Sequence, residues 1–406
     1  MTILRNRGFL LLWGGQLFST VGIWSLRTVL LIWVYNTVRT GTAVSLVGLA
    51  EVIPLLIVAP LGGVLIDRWP RVFFMAGGMG AAVLFLFPLL AVSGDAVLPA
   101  VVAVALLINA AVQLSYNAAS AAVPVVVGQD GLGQANSLIS FLNGGVAVVG
   151  PGLAAFLEAA LGPHGALVVV AAIIVPAVPL YLMAPAPRAV RAEEVGSMGR
   201  ELLDGLSYVI HSRMLLSLTA LITVAGLGFG GLSVLDVVFV TRALKLPSSN
   251  VGLLLSSAGL GELLGGIVMV AIAGRIAHWY HRVLGFCVIL AGGALVVYSS
   301  SHSLVAAVGA LAVASLFFPP LIVAFTTLQQ RVTTDAFMGR VSSTLSTTMA
   351  ISMLVSLAIV GALTDLFGVR IVIAAAGVIL LFSGVLSLFL IRETPPPREE
   401  TNAAAA

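Results

Sequence analysis

PAPRAVRAEEVGSMGRELLDGLSYVIHSR, residues 185–213, is the one long polar stretch in an otherwise apolar chain, and the fold follows from what flanks it. Toward the N-terminus, apolar runs separated by short polar or Gly/Pro breaks fall near 9–35, 43–66, 73–93, 98–125, 136–160 and 166–184. Toward the C-terminus a second set falls near 214–240, 250–273, 283–300, 304–328, 340–363 and 370–391. A membrane-spanning helix needs about 20 apolar residues, so each run is long enough to cross once. The 406-residue chain is 60% hydrophobic and 9% charged, against roughly a quarter charged in a soluble domain. That composition excludes a soluble enzyme, a disordered chain and a protein with a single anchor. The expectation is an all-α polytopic membrane protein: twelve transmembrane helices in two pseudo-symmetric six-helix bundles. Residues 1–187 and 214–391 would form the bundles, 188–213 a cytoplasmic linker whose second half is helical at the membrane surface, and 392–406 a cytoplasmic tail.

The first run is too long for a signal peptide, lacks a small-residue cleavage site and contains Arg27, so it reads as a retained helix. Orientation follows from the excess of Arg and Lys on cytoplasmic loops. With the N-terminus inside, fourteen basic residues lie on the cytoplasmic side, and only Arg39, Arg242, Lys245 and Arg370 lie outside. Both termini are therefore expected in the cytoplasm, and the membrane is read as the bacterial inner membrane. The net charge of +3 is too small to point to nucleic acid. Cys287, the one cysteine, excludes a disulfide framework and a thiol metal site. No cofactor or metal is expected.

The two halves look related. Gly133-Gln-Ala-Asn-Ser137 and Gly339-Arg-Val-Ser-Ser343 each open a span at an offset of 206, and Val47-Gly-Leu49 recurs as Val251-Gly-Leu253 at 204. Duplicated six-helix halves place a substrate site at their interface near the midplane.

Gly63-Val-Leu-Ile-Asp67-Arg68-Trp-Pro-Arg71, between spans two and three, resembles the G-x-x-x-D-R-x-x-R loop motif of the major facilitator superfamily. Finer features resemble the macrolide-efflux and siderophore-exporter branch of its drug:proton antiporters. They are Val47-Gly-Leu-Ala-Glu51 leading into Pro54, and Gln330-Arg-Val followed by Gly339-Arg340-Val341. Gly150-Pro151-Gly152 resembles the core of the antiporter motif. The resemblance implies that Gly63, Asp67, Arg68 and Arg71 latch the halves on the cytoplasmic side, with Arg340 opening the partner span. The plainer alternative is that these are ordinary topology charges. The chain also departs from the pattern. Gly274–Arg282, the second copy of the loop, lacks an acid; the usual Arg of span four falls on Asn109; and span one has Gly22-Ile23 where many relatives have Gly-Asp.

Arg27, Glu51, Asp236 and Glu262 fall inside predicted spans, where charge is costly and marks function by default. Arg27 and Glu51 sit at similar depth on neighbouring antiparallel helices, so they can pair, as a functional or a purely structural contact. Asp236, about four residues from the outer end of span seven, reads as reaching water or an outer vestibule. Glu262 lies near mid-membrane with no Lys or Arg within one turn. It suits a proton-coupling site or a receptor for a cation, or else a neutral structural carboxyl. Span four carries Asn109, Gln113 and Asn117 at four-residue spacing beside Tyr116; this stripe lines the cavity or ties helices together. Gln16 and Trp24 of span one are further cavity candidates.

Gly226-Leu-Gly-Phe-Gly-Gly231 matches the nucleotide-binding G-x-G-x-x-G string but follows no strand, so helix packing explains it better. No phosphate loop, G-x-S-x-G or H-E-x-x-H is present, which argues against an ATP-driven pump and an enzyme. The expected function is secondary active transport: proton-coupled efflux of an amphipathic small molecule by a monomer in the lipid bilayer. A lipid or metabolite carrier on the same fold is the alternative.

Overall fold

Each apolar run is a helix in a computed structural model, and no strand forms among the described residues. The structure describes residues 3–185, 198–276, 278–334 and 337–391, and the side chains among them except those at 4, 59–68, 129, 130 and 198–204. Span one, Arg7–Val38, begins at Asn6, whose side chain accepts from the Phe9 N–H. This cap satisfies a donor that the helix itself leaves unpaired. Span two is Gly41–Arg68 and span three Arg71–Ala91. Eleven segments are long and apolar enough to cross a membrane, but one of them, Gly131–Met183, has 53 residues. At 1.5 Å per residue it would reach roughly 80 Å, against about 30 Å of hydrocarbon. It turns at Gly162, where φ is 68° and ψ 175°, a conformation open to glycine and strained for other residues. Gly128, at φ 70° and ψ 173°, makes the equivalent break earlier. Spans four, five and six are therefore 97–127, 129–161 and 163–183, and the total is twelve.

The apolar pattern predicts a polar loop at 126–135, yet the helix resumes directly after Gly128. Ala135 is buried with Ile3, Phe9 and Val123, and Leu132 and Leu138 pack onto the same small cluster. This second core makes the segment helical despite its polar neighbours.

Spans eight, nine, eleven and twelve are Asn250–Ile272, Tyr280–Ser300, Met338–Phe367 and Val369–Leu390. Span seven, Arg213–Ala243, is interrupted. Its first helix, Arg213–Phe229, stops at Gly230-Gly231, and a second, Leu232–Val238, continues in π form through Phe239–Ala243. A break inside an apolar bundle frees backbone groups that must find other partners. Ser356 of span eleven supplies them: its hydroxyl donates to the Leu227 carbonyl (2.8 Å) and accepts from the Gly231 N–H (3.0 Å). Gly226 packs on Ser352, so the glycine string serves helix contact, as its sequence predicts, and also a break, which its apolar surroundings conceal. Span ten, Leu304–Val332, divides likewise at Phe317, before Pro319-Pro320.

Spans one to six pack chiefly on one another, as do spans seven to twelve. The two sets meet where span two lies along span eleven and span five along span eight. The approach is close. A Cβ on Gly259 would stand 2.4 Å from the Ala147 carbonyl oxygen, so any larger residue would force the helices apart. An even number of spans puts both termini at one end, the near end, with the linker helix Met198–His211. There Tyr208 stacks on Phe337 at 4.7 Å between ring centres.

Candidate functional site

Where the two sets of spans meet, they enclose a cavity of about 360 Å³. One wall comes from span one (Trp24, Arg27, Thr28, Leu31) and span five (Ala147, Pro151). Spans seven to eleven build the rest, with Phe229, Phe318, Phe325, Met349 and Met353 giving it an apolar, aromatic character. Gly230, at the break in span seven, is part of the wall. The interrupted helix is therefore placed where it faces the cavity rather than lipid, the setting in which broken helices carry substrate sites.

Four ionisable groups stand on or just behind these walls. Arg27 pairs with Glu51 of span two through Nε–Oε2 at 2.9 Å, and its Nη2 donates to the Ser233 hydroxyl of span seven at 2.8 Å. One guanidinium thus touches both sets of spans. It also lies 6.0 Å from the centre of the Trp24 ring, within reach of the ring's negative face. Asp236, one turn beyond Ser233, is 4% exposed and accepts from the Tyr298 hydroxyl at 2.8 Å. Glu262 is half-buried on the cavity wall and makes no hydrogen bond or ion pair among the described residues. A single cation therefore stands among three carboxyl groups, paired with one of them, in a low-dielectric setting where uncompensated charge is expensive. The site has an unfilled demand for a proton or a cation. A side pocket of about 90 Å³, bounded by Glu51 and Asn109, shares Trp24 and Arg27 with the main cavity. The Arg27–Glu51 pair is the partition between the two.

The sequence expectation of an Arg27–Glu51 contact matches this geometry, and Trp24, Pro151 and Glu262 all face the cavity. Asp236 is a correction: it does not open to water at the end of its span opposite the termini. Span seven continues to Ala243, three residues beyond the expected end, and Tyr298 of span nine covers the carboxyl. The polar stripe of span four is a second correction, since none of its members lies on the main cavity wall. Asn109 donates to the Ala105 carbonyl of its own helix (2.8 Å) and borders the side pocket. Gln113 donates to Asn117 within the same helix (2.9 Å), so these amides bond to each other, and Tyr116 is exposed on the surface. Gln16 is buried in its own bundle, away from the cavity. Gly150 receives the Ser25 hydroxyl on its carbonyl (3.2 Å) and lies against Trp24, so it seats span five on span one.

In the loop motif, the side chains of Gly63, Asp67 and Arg68 lie outside the described residues. Arg71 donates to the Ala121 carbonyl at 2.8 Å, and Arg340 stands over the Phe337 ring at 5.3 Å. Sequence reasoning missed Ser233 and Tyr298, which hold Arg27 and Asp236. Neither residue type is unusual in a membrane helix, so only the fold could single them out. It also missed Glu158, which accepts from Asn36 at 3.2 Å, although this acid lies inside a predicted span.

Twelve apolar spans meeting around a sparsely charged cavity define a membrane transporter. The model of the Major Facilitator Superfamily matches residues 12–343 and, in a second match, 224–406. The chain belongs to that superfamily, a family of secondary transporters. It is 29% identical over 309 residues to the uncharacterized MFS-type transporter y4rN of Sinorhizobium fredii, covering 72% of this chain and 73% of that one. Among solved structures, a mutant form of the nucleoside transporter NupG has the same fold at 12% identity. Its TM-score is 0.81, and the match covers 95% of this chain and all of that one. A bacterial homologue of the iron transporter ferroportin, solved in an inward-facing state, matches at 15% identity with a TM-score of 0.72, over 97% and 100% of the two chains.

Proposed function

We propose that the protein is a proton-coupled exporter of amphipathic small molecules, of the macrolide-efflux and siderophore-exporter type. It would act as a monomer in the bacterial inner membrane with both termini in the cytoplasm. One observation carries the reading: Glu262 stands on the wall of a largely apolar cavity and makes no hydrogen bond or ion pair among the described residues. Apolar and aromatic walls take the lipophilic body of a substrate, and a few polar groups orient it. A carboxyl exposed to the cavity can be protonated from one side and discharged when the cavity faces the other. A gradient drives such a cycle only if the proton binds the two conformations with different affinity. Arg27 lines the same cavity and touches both sets of spans, which gives a route by which charge in the cavity reaches their relative position.

The test is accumulation in everted membrane vesicles of a fluorescent lipophilic cation and, separately, a neutral macrolide. Both should accumulate when the vesicles are energised, and a protonophore should reduce uptake to background. Accumulation that survives collapse of the gradient would exclude proton coupling. Uptake confined to right-side-out vesicles would favour the metabolite-carrier alternative.

The loop motif enters the same scheme as a near-end latch. Asp67, next to last in span two, is proposed to cap the N-terminus of span eleven when the near end closes. A charge–dipole contact of this kind contributes about 1–2 kcal/mol when partly buried. Asp67→Asn should therefore raise the ratio of inward-facing to outward-facing molecules by about fivefold to thirtyfold. Distances between labels on near-end turns of the two sets of spans report that population. Unchanged distances together with full transport would remove the latch.

A further inference from the structure

At the far end, opposite the termini, one carboxylate joins the two sets of spans. Asp365, near the C-terminal end of span eleven, accepts from the backbone N–H groups of Gly41 (2.8 Å) and Thr42 (3.0 Å) and from the Thr42 hydroxyl (2.9 Å). Those N–H groups open span two, where no carbonyl of the helix itself can reach them. Span two thus takes a cap from a helix in the other set, and the acid adds its charge to the positive end of the helix. Arg242, in the last turn of span seven, pairs with the same carboxylate at 3.0 Å. It also donates to the carbonyl of Arg39, in the turn just before span two. A second link lies close by, where Asn36 donates to Ser248 at 3.0 Å.

These contacts brace three helices, and span seven is one of them. Its second segment, beyond the Gly230-Gly231 break, is held by Arg27 at Ser233 and by Asp365 at Arg242. The side chains of Asp365 and Arg242 are 26% and 40% exposed. Water can therefore replace each contact when it breaks, and the cluster can open and re-form.

We propose that Asp365 is the far-end gate: its cap on span two, braced by Arg242, holds the far end shut. The cavity reaches that side only when the N-terminus of span two leaves Asp365. Charge-assisted hydrogen bonds are stronger than neutral ones, and Asp365 accepts three from the other set, so the carboxylate should carry most of the far-end bias.

The test uses cysteines substituted for Asp95 and His302, exposed positions on far-end turns of the two sets, in a Cys287→Ser background. Spin labels at these sites, read by pulsed dipolar spectroscopy in lipid nanodiscs, report the closed and open populations. The measurement needs no substrate, so its outcome is separate from that of the export assay. Asp365→Asn should lower the closed-to-open ratio by about tenfold. Arg242→Gln, which removes the brace and leaves the cap, should lower it by about threefold. Identical distance distributions in the parent and both variants would overturn the proposal. So would a lower melting temperature with no redistribution of distances, the mark of a purely structural contact. Should Asp365→Asn fail to assemble, Arg242→Gln and Thr42→Val take over the test, and a shift in neither overturns it.

Discussion

Glu262→Gln should fold normally and lose gradient-driven transport. The carboxyl makes no hydrogen bond or ion pair among the described residues, so an amide of the same shape removes no protein contact. Its effect on melting should stay within about 0.5–1 kcal/mol, as for substitutions away from packed or bonded groups. Transport should fall to near background, because Gln cannot ionise. Two substrates separate the roles this residue can play. If Glu262 carries the coupling proton, export of the neutral macrolide and of the lipophilic cation fails together. If it only receives a cation, the neutral compound still moves. Parental rates for both, with the parental pH profile, would make Glu262 structural and leave coupling to Asp236 or Glu51.

Breaking the Arg27–Glu51 pair from one side should cost more than removing both partners. Each single change strands a charge in a poorly solvated site, which costs roughly 3–5 kcal/mol when burial is complete. Here the side chains are 31% and 18% exposed toward the cavities, so about 2–4 kcal/mol is the better figure. Arg27→Gln should be the worse single variant, because it also takes the donor from Ser233 and the nearest cation from Asp236. Thermal unfolding in detergent of Arg27→Gln, Glu51→Gln and the double variant closes the cycle. A double variant more stable than the sum of the singles confirms the coupling, whereas strict additivity would mean that the contact carries no energy.

The spans were legible in the sequence because hydropathy is a bulk property: a run of twenty apolar residues has one cheap conformation in a bilayer. Local backbone events were not. Gly230-Gly231 sits inside a continuous apolar run, and its break becomes affordable only because Ser356 arrives from a distant helix. Charged residues stood out because their burial is costly, and Arg27, Glu51 and Glu262 were found that way. The amides of span four misled for the opposite reason. Gln113 and Asn117 are spaced to bond to each other within one helix, so a polar stripe did not have to face the cavity. Asp365 was overlooked because it lies two residues past the expected end of its span, where a carboxylate attracts no notice until its partners are known.

Spans two and eleven run antiparallel, and their register has a consequence at the opposite end. Gly41 lies against Thr364 and Gly48 against Leu357. Continued along both helices, the same register brings position 67 level with Met338, the first residue of span eleven. Each helix therefore finishes with an aspartate at the level where its neighbour starts. With Asp67 acting as proposed, the pair behaves as a see-saw: tilting it releases one capped helix start and captures the other. Neither extreme leaves both starts bare, so each resting position recovers part of what the other loses. An equilibrium offset in this way is one that a single proton or one bound molecule can tip.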